Sequence, residues 1–262
     1  MAVTYSSGGG NLPGIATTDF PFGCTKEHSG TSASAPIAAG VIALTLEANP
    51  NLSWRDVQHI IVETANAKSL LSNYGWSMNA AGKSVNHQFG FGLLNAVGMV
   101  KLAKTWLTVP SAVRCSHHVR LNEGDRMLEG LFSNSYTVYF EECKQSGGSI
   151  KHLEHVHLFV YLRYKDRGDL EIALISPSGT RSLMLASRYN DKDGGTSFLT
   201  WPFLSVHFWG ENPIGNWTIE VTNVGKSSNT GFIRGFTLVG YGTFLEPIRF
   251  KDNNIPEKLG KI

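Results

Sequence analysis

Apolar and polar residues follow two different periods along this chain, and the change between them falls near Thr108. Before it, apolar positions recur every three to four residues. Ile37, Ala38, Val41 and Ile42 follow Pro36, and because Pro fits only the first turns of a helix, a helix is predicted to begin close to Ser32. Asn49-Pro-Asn-Leu-Ser breaks that run. Ser53 then reads as an N-cap with Asp56 at the third helical position, and Val57, Ile60, Ile61 and Thr64 mark one core face. His59, between these positions, is expected at the helix surface or its boundary. Asn66–Lys83 is polar and Gly-rich and reads as a surface loop. Asn95 caps a last helix whose buried stripe is Ala96, Met99, Val100 and Ala103.

Past Thr108-Val-Pro-Ser the period becomes two. Val156, Leu158, Val160 and Leu162 share one face of a strand, and Leu170, Ile172 and Leu174 repeat the pattern before a Ser176-Pro-Ser-Gly turn. Phe198–Phe203, Trp217–Val221 and Phe232–Tyr241 read as further strands. Short strands punctuated by Gly, Pro and Asn predict a sandwich or jelly roll. The expected organisation is an incomplete α/β unit over residues 1–108, an all-β jelly roll over 109–244, and a polar tail over 245–262. Met1–Ser7 reads as the end of a strand and Gly8–Gly14 as a flexible loop, so the chain opens as if in the middle of a fold.

Composition narrows the functional classes. The 262 residues carry a net charge of only +2, which gives no footprint for nucleic acid or a polybasic membrane contact. Met1-Ala-Val-Thr-Tyr lacks the charged and apolar regions of a signal peptide. The best apolar run, Ile37–Leu46, is too short to span a bilayer. Three cysteines are present, Cys24, Cys115 and Cys143. Cys115 and Cys143 flank a predicted β segment, and a bridge between them is worth roughly 3–4 kcal/mol; Cys24 is expected to stay free. Asn51 and Asn216 begin Asn-x-Ser/Thr triplets, candidate glycosylation sites that lean, with the cysteines, towards a secretory location.

The candidate chemistry lies in His28–Ala39, His-Ser-Gly-Thr-Ser-Ala-Ser-Ala-Pro-Ile-Ala-Ala. Gly30 frees the backbone ahead of Ser32, and a serine at a helix N-terminus faces unpaired N–H groups and the positive end of the dipole, surroundings that suit an oxyanion. A Ser before a helix also serves as a plain cap. The Gly-x-Ser-x-Gly elbow of α/β-hydrolases is excluded, since Ser34 holds its last place. The longer string Gly-Thr-Ser-Ala-Ser-Ala-Pro resembles the nucleophile segment of the subtilisin-like serine proteases, and among them the kexin/furin-like proprotein convertases. Ala2-Val-Thr-Tyr-Ser-Ser, Trp54-Arg-Asp-Val-Gln-His-Ile-Ile and His87-Gln-Phe-Gly-Phe-Gly-Leu-Leu-Asn resemble the same catalytic domain. Arg167-Gly-Asp-Leu, Ser176-Pro-Ser-Gly-Thr-Arg and Trp209-Gly-Glu-Asn-Pro-Ile-Gly-Asn-Trp resemble the family's jelly-roll P domain. Val3-Thr-Tyr-Ser, Gly90-Phe-Gly-Leu-Leu-Asn and Ala103-Lys-Thr-Trp look most like its type 7 subfamily.

The resemblance implies an α/β subtilisin-like remnant followed by a P domain, with Ser32 as nucleophile and its N–H as one oxyanion donor. It implies cleavage of precursor proteins after basic residues, calcium dependence, and a place in the secretory pathway, at the trans-Golgi network, where some members of the family carry a membrane anchor. It identifies no calcium ligands here; Asn190-Asp-Lys-Asp-Gly-Gly lacks EF-hand spacing and reads as a turn. Arg167-Gly-Asp reads as a family hairpin turn before it reads as an integrin motif. In this family the base and its orienting Asp precede the Ser. The stretch before Ser32 holds one His, His28, and one Asp, Asp19; His28 belongs to the nucleophile string, and Asn11 does not match the family's oxyanion Asn. The expectation is therefore a C-terminal part of such an enzyme, inactive alone. The alternative is a non-catalytic protein that binds or stabilises a partner through its P domain.

Overall fold

The computed structural model describes residues 1–8, 12–123, 127–143, 148–191, 197–198 and 201–247. They fall into two compact units. The first holds Met1–Ser77 and Ser84–Val109, and the second holds Met78–Lys83 and Pro110–Glu246.

The first unit has a β-hairpin, β1 (Ile15–Asp19) and β2 (Gly23–His28), then helices α1 (Thr31–Ala48), α2 (Trp54–Thr64) and α3 (Ala96–Ala103). Helix α2 starts at a full capping box. Ser53 Oγ accepts from Asp56 N–H, and the Asp56 carboxylate accepts back from Ser53 N–H at 2.7 Å. That carboxylate is wholly buried, and its other oxygen accepts from Trp106 Nε1 at 2.9 Å and Val109 N–H at 2.7 Å. One side chain thus closes α2, α3's exit and the end of the unit onto a core of Val57, Ile60, Ile61, Met99, Leu102 and Trp106. His59 is buried at 1% exposure beside Trp106, against the expected surface position. With Ile60 and Ile61 facing one side and Val62 the other, α2 is covered nearly all round, which the spacing of one apolar face does not show.

The stretch read as a surface loop, Asn66–Lys83, holds a 3₁₀ turn and β3 (Trp76–Met78), which pairs β4 (Ser84–Asn86). Its tip goes with the second unit. There Asn79 Nδ2 donates to the carbonyls of His207 and Trp209, both at 2.9 Å, and Ala80 N–H donates to buried Glu211 at 3.0 Å.

The second unit is an antiparallel sandwich. One sheet has the order β10 (Arg181–Leu185), β9 (Leu170–Ile175), β13 (Gly215–Asn223), β7 (Ser133–Phe140). The other runs β11 (Ser197–Phe198), β8 (His152–Tyr164), β14 (Thr230–Thr243), β5 (Val113–Arg120). Against its strands also pair β12 (Pro202–Ser205), beside β8, and β6 (Met127–Glu129), beside β14. The period-two residues meet between the sheets: Val156, Leu158, Val160 and Leu162 from one, Ile172, Leu174, Trp217 and Ile219 from the other, all at most 1% exposed. Trp217 crosses Phe208 edge-on at 4.9 Å and its Nε1 donates to Pro213 C=O. Cys115 and Cys143 are joined by a disulfide, with Cα atoms 5.9 Å apart, and Cys24 is free and exposed on β2.

Candidate functional site

Ser32 is the second residue of α1, and the turn that presents it is built from three directions. Gly30, at φ 97°, is the N-cap, a backbone conformation that a side chain would strain. No side chain caps the helix and no acidic residue lies in its first turn. Ala33 N–H returns to Gly30 C=O at 2.9 Å, while among the described residues the N–H groups of Thr31 and Ser32 have no acceptor. Pro36 lacks the N–H that would bond the Ser32 carbonyl, so both backbone polar groups of Ser32 stand outside the helical ladder.

The third constraint comes from the N-terminal segment. Met1–Val3 runs beside residues 91–94, with Val3 N–H bonded to Gly92 C=O and Leu94 N–H to Val3 C=O, both at 2.9 Å. The next two residues grip α1: Thr4 Oγ1 donates to Ser34 C=O at 3.0 Å, and Ser34 Oγ donates to Tyr5 C=O at 3.1 Å. The segment read as the end of a strand is therefore an extended brace, with one isolated bridge from Val3 to Leu93. Thr4 and Tyr5 escaped the sequence reading because their partner lies some thirty positions away and no local pattern announces it.

Ser32 itself is exposed, and among the described residues its Oγ has no hydrogen-bond partner. His28 ends β2 opposite Ile15, and Asp19 Oδ1 accepts from Phe20 N–H at 2.8 Å, so neither is bonded to Ser32. Asn11 lies outside the described residues. The turn thus offers an accessible hydroxyl and two free N–H donors at the positive end of an 18-residue helix, without a base.

The remaining candidates fall elsewhere. Asn51 and Asn216 are both exposed, before α2 and on β13 respectively. In Arg167-Gly-Asp, the Asp169 carboxylate accepts from Asn229 Nδ2 at 2.6 Å and Lys226 N–H, Arg167 pairs with Asp191, and Gly168 is buried, so the triplet is tied down as a structural turn. Of the supposed Asn190–Gly195 loop, residues 192–195 lie outside the described residues; Asp191 is taken by Arg167 and Arg188. Among the described residues no three His, Cys, Asp or Glu side chains converge to hold a metal, so the calcium that the resemblance implies finds no fitting ligand set among them. Helix α1 is long and apolar enough, by length and composition alone, to cross a membrane, where the sequence run Ile37–Leu46 had looked too short; the small residues of Thr31–Pro36 extend it.

An accessible serine at the head of an apolar helix, followed along the chain by a β-sandwich, fits the class that the family models assign: a subtilase segment followed by a P domain. Known proteins agree. The Subtilase family model matches residues 3–92 and the proprotein convertase P-domain model matches residues 153–239. The chain is 47% identical over 245 residues to endoprotease bli-4 of Caenorhabditis elegans, covering 93% of this chain and 26% of that protein. It is 46% identical over 254 residues to endoprotease bli of Onchocerca volvulus, covering 96% and 36%, and 44% identical over 246 residues to furin of Rattus norvegicus, covering 94% and 30%. The crystal structure of the serine protease of Aeromonas sobria shares the fold at a TM-score of 0.70 and 20% identity, over 88% of this chain and 52% of that one. The chain therefore carries a subtilase segment and a proprotein convertase P domain, resembles furin and the bli endoproteases over that length, and spans about a quarter to a third of those curated relatives.

Proposed function

We propose that this chain supplies the nucleophile and P domain of a serine endopeptidase that cleaves precursor proteins after basic residues in the secretory pathway, at the trans-Golgi network, and that it belongs to the type 7 subfamily. Ser32 is the nucleophile and its N–H an oxyanion donor. The observation that carries this reading is the position of Ser32: exposed, on an uncapped helix N-terminus, inside the span that matches the subtilase model.

A serine hydroxyl needs a base to accept its proton, and in subtilisin loss of a triad member costs roughly four to six orders of magnitude in kcat. The base and its orienting carboxylate would come from polypeptide outside these 262 residues, and the chain alone is inactive. The unpartnered Ser32 Oγ also favours the second reading, a non-catalytic partner-binding role.

The two separate on one experiment. A fluorogenic Arg-Arg substrate and an active-site-directed phosphonate are offered to the full-length protein, its Ser32→Ala variant, and the present chain. The full-length protein should hydrolyse and be labelled, the variant should do neither, and the present chain should stay unlabelled. Activity surviving in the variant refutes the assignment of Ser32, whereas no activity in the full-length protein supports the binding role.

A further inference from the structure

Strand β7 closes one edge of the four-stranded sheet and, among the described residues, pairs only with β13. The phase of that pairing decides which backbone groups are used. Asn223 N–H bonds to Phe132 C=O, its opposite residue, so in an antiparallel ladder Asn134, Tyr136 and Val138 also bond to β13. The N–H and C=O groups of Ser133, Ser135 and Thr137 point the other way, and among the described residues nothing bonds to them. They open into a groove of about 540 Å³ lined by Leu121, Met127 and Ser133–Thr137.

Sheet edges are usually blunted by Lys, Pro or a bulge, because unpaired strand edges recruit other chains. Strand β7, Ser-Asn-Ser-Tyr-Thr-Val-Tyr-Phe, has no charge and no Pro, and its eight-residue register with β13 has no shift. Its outward groups repeat at the spacing of a strand, and five residues extend about 17 Å.

We propose that this edge is a docking site for an extended, uncharged peptide segment of a partner protein, which adds to β7 as a fifth strand of the sheet. Backbone pairing to Ser133, Ser135 and Thr137 supplies affinity. Alternate apolar side chains of the guest lie against Leu121, Met127 and Tyr136, and small polar ones lie beside the Ser133 and Ser135 hydroxyls. Among the described residues the lining carries no charge, so a charged guest would lose solvation without a counter-ion from them. A second copy of this chain is the poorer guest. Strand β7 supplies five of the seven lining residues, with Leu121 and the 58%-exposed Met127 completing them, and two copies meeting edge to edge would each have to accommodate the other's Leu121 and Met127.

The test uses the 262-residue chain and a fluorescein-labelled hexapeptide of alternating threonine and valine, with a twin N-methylated on alternate amides. Polarisation should rise saturably with the first peptide and not with the twin. Amide exchange at Ser133, Ser135 and Thr137 should slow on binding, while Asn134 and Tyr136 remain protected throughout. Ser135→Pro removes only an outward N–H, at the kind of edge position where Pro is tolerated, and should weaken binding about tenfold. If Ser135→Pro does not fold, Thr137→Lys places a charge in the groove and should do the same. Absence of saturable binding, equal binding of the twin, unchanged affinity in the variants, or a dimer in sedimentation that the peptide disperses would each overturn the proposal.

Discussion

Asp56 shows how much one buried side chain decides in the first unit. Burial alone would raise its pKa, yet the hydrogen bonds from Ser53, Val109 and Trp106 together hold it below the ordinary value of 3.8. A folded pKa held below the unfolded one contributes stability that is present above the unfolded value and lost as pH falls through the folded one. Asp56→Ala should remove the capping box and strand two buried donors, costing about 2–4 kcal/mol in urea unfolding. A change under about 0.5 kcal/mol would show that the network is incidental. The sequence revealed half of this residue. Three positions from Ser53 it reads as a dipole partner, but the bonds to Trp106 and Val109 join residues fifty positions apart, and spacing carries no trace of them. Ser32 is the opposite case: its string is contiguous, so motif and helix start were both legible, whereas its grip by Thr4 and Tyr5 was not.

Among the strands, the inward residues follow from alternation, and two half-buried histidines make the sandwich sensitive to pH. His117 lies on the inner face of β5, its ring 4.2 Å from that of Phe140, and burial lowers its pKa while Glu141 opposes the shift. His157 on β8 is lowered by burial and then by Arg114. Both bind protons more readily unfolded than folded, so stability is full above the ordinary value of 6.5 and declines as pH falls below it. The urea midpoint of the β-sandwich transition should drop between about pH 7.5 and about pH 5.5, and His117→Phe, which keeps a ring against Phe140, should flatten the decline. A midpoint that rises on acidification would contradict this account. Alternation made β8, β9, β13 and β14 readable, because a face buried against a second sheet imposes period two. The order of the strands was not readable, since non-local pairing leaves no mark on the strand it joins.

At the scale of the whole molecule, covalent closure and chain path matter more than any single contact. The Cys115–Cys143 bridge closes a loop of 28 residues, and the chain-entropy model assigns about 3–4 kcal/mol to it. Cys115→Ser with Cys143→Ser should lower stability by that order in denaturant, and should leave Cys24 as the one site of maleimide labelling, as it should be in the native protein under non-reducing conditions. A peptide map joining Cys24 to either partner would refute the pairing.

The path is stranger than the pairing. Met78–Lys83 goes with the second unit although the residues on both sides go with the first, so the chain changes unit three times before it reaches Glu246. A segment with that threading is not a cassette. A gene rearrangement with its breakpoint at residue 109 would transplant a sandwich whose buried Glu211 and the carbonyls of His207 and Trp209 had left Ala80 and Asn79 behind. Exchanges that carry the hairpin along would be inherited intact, and those that omit it would have to evolve a substitute. The six residues thereby tie the ancestry of the two units together more firmly than the length of the peptide that joins them.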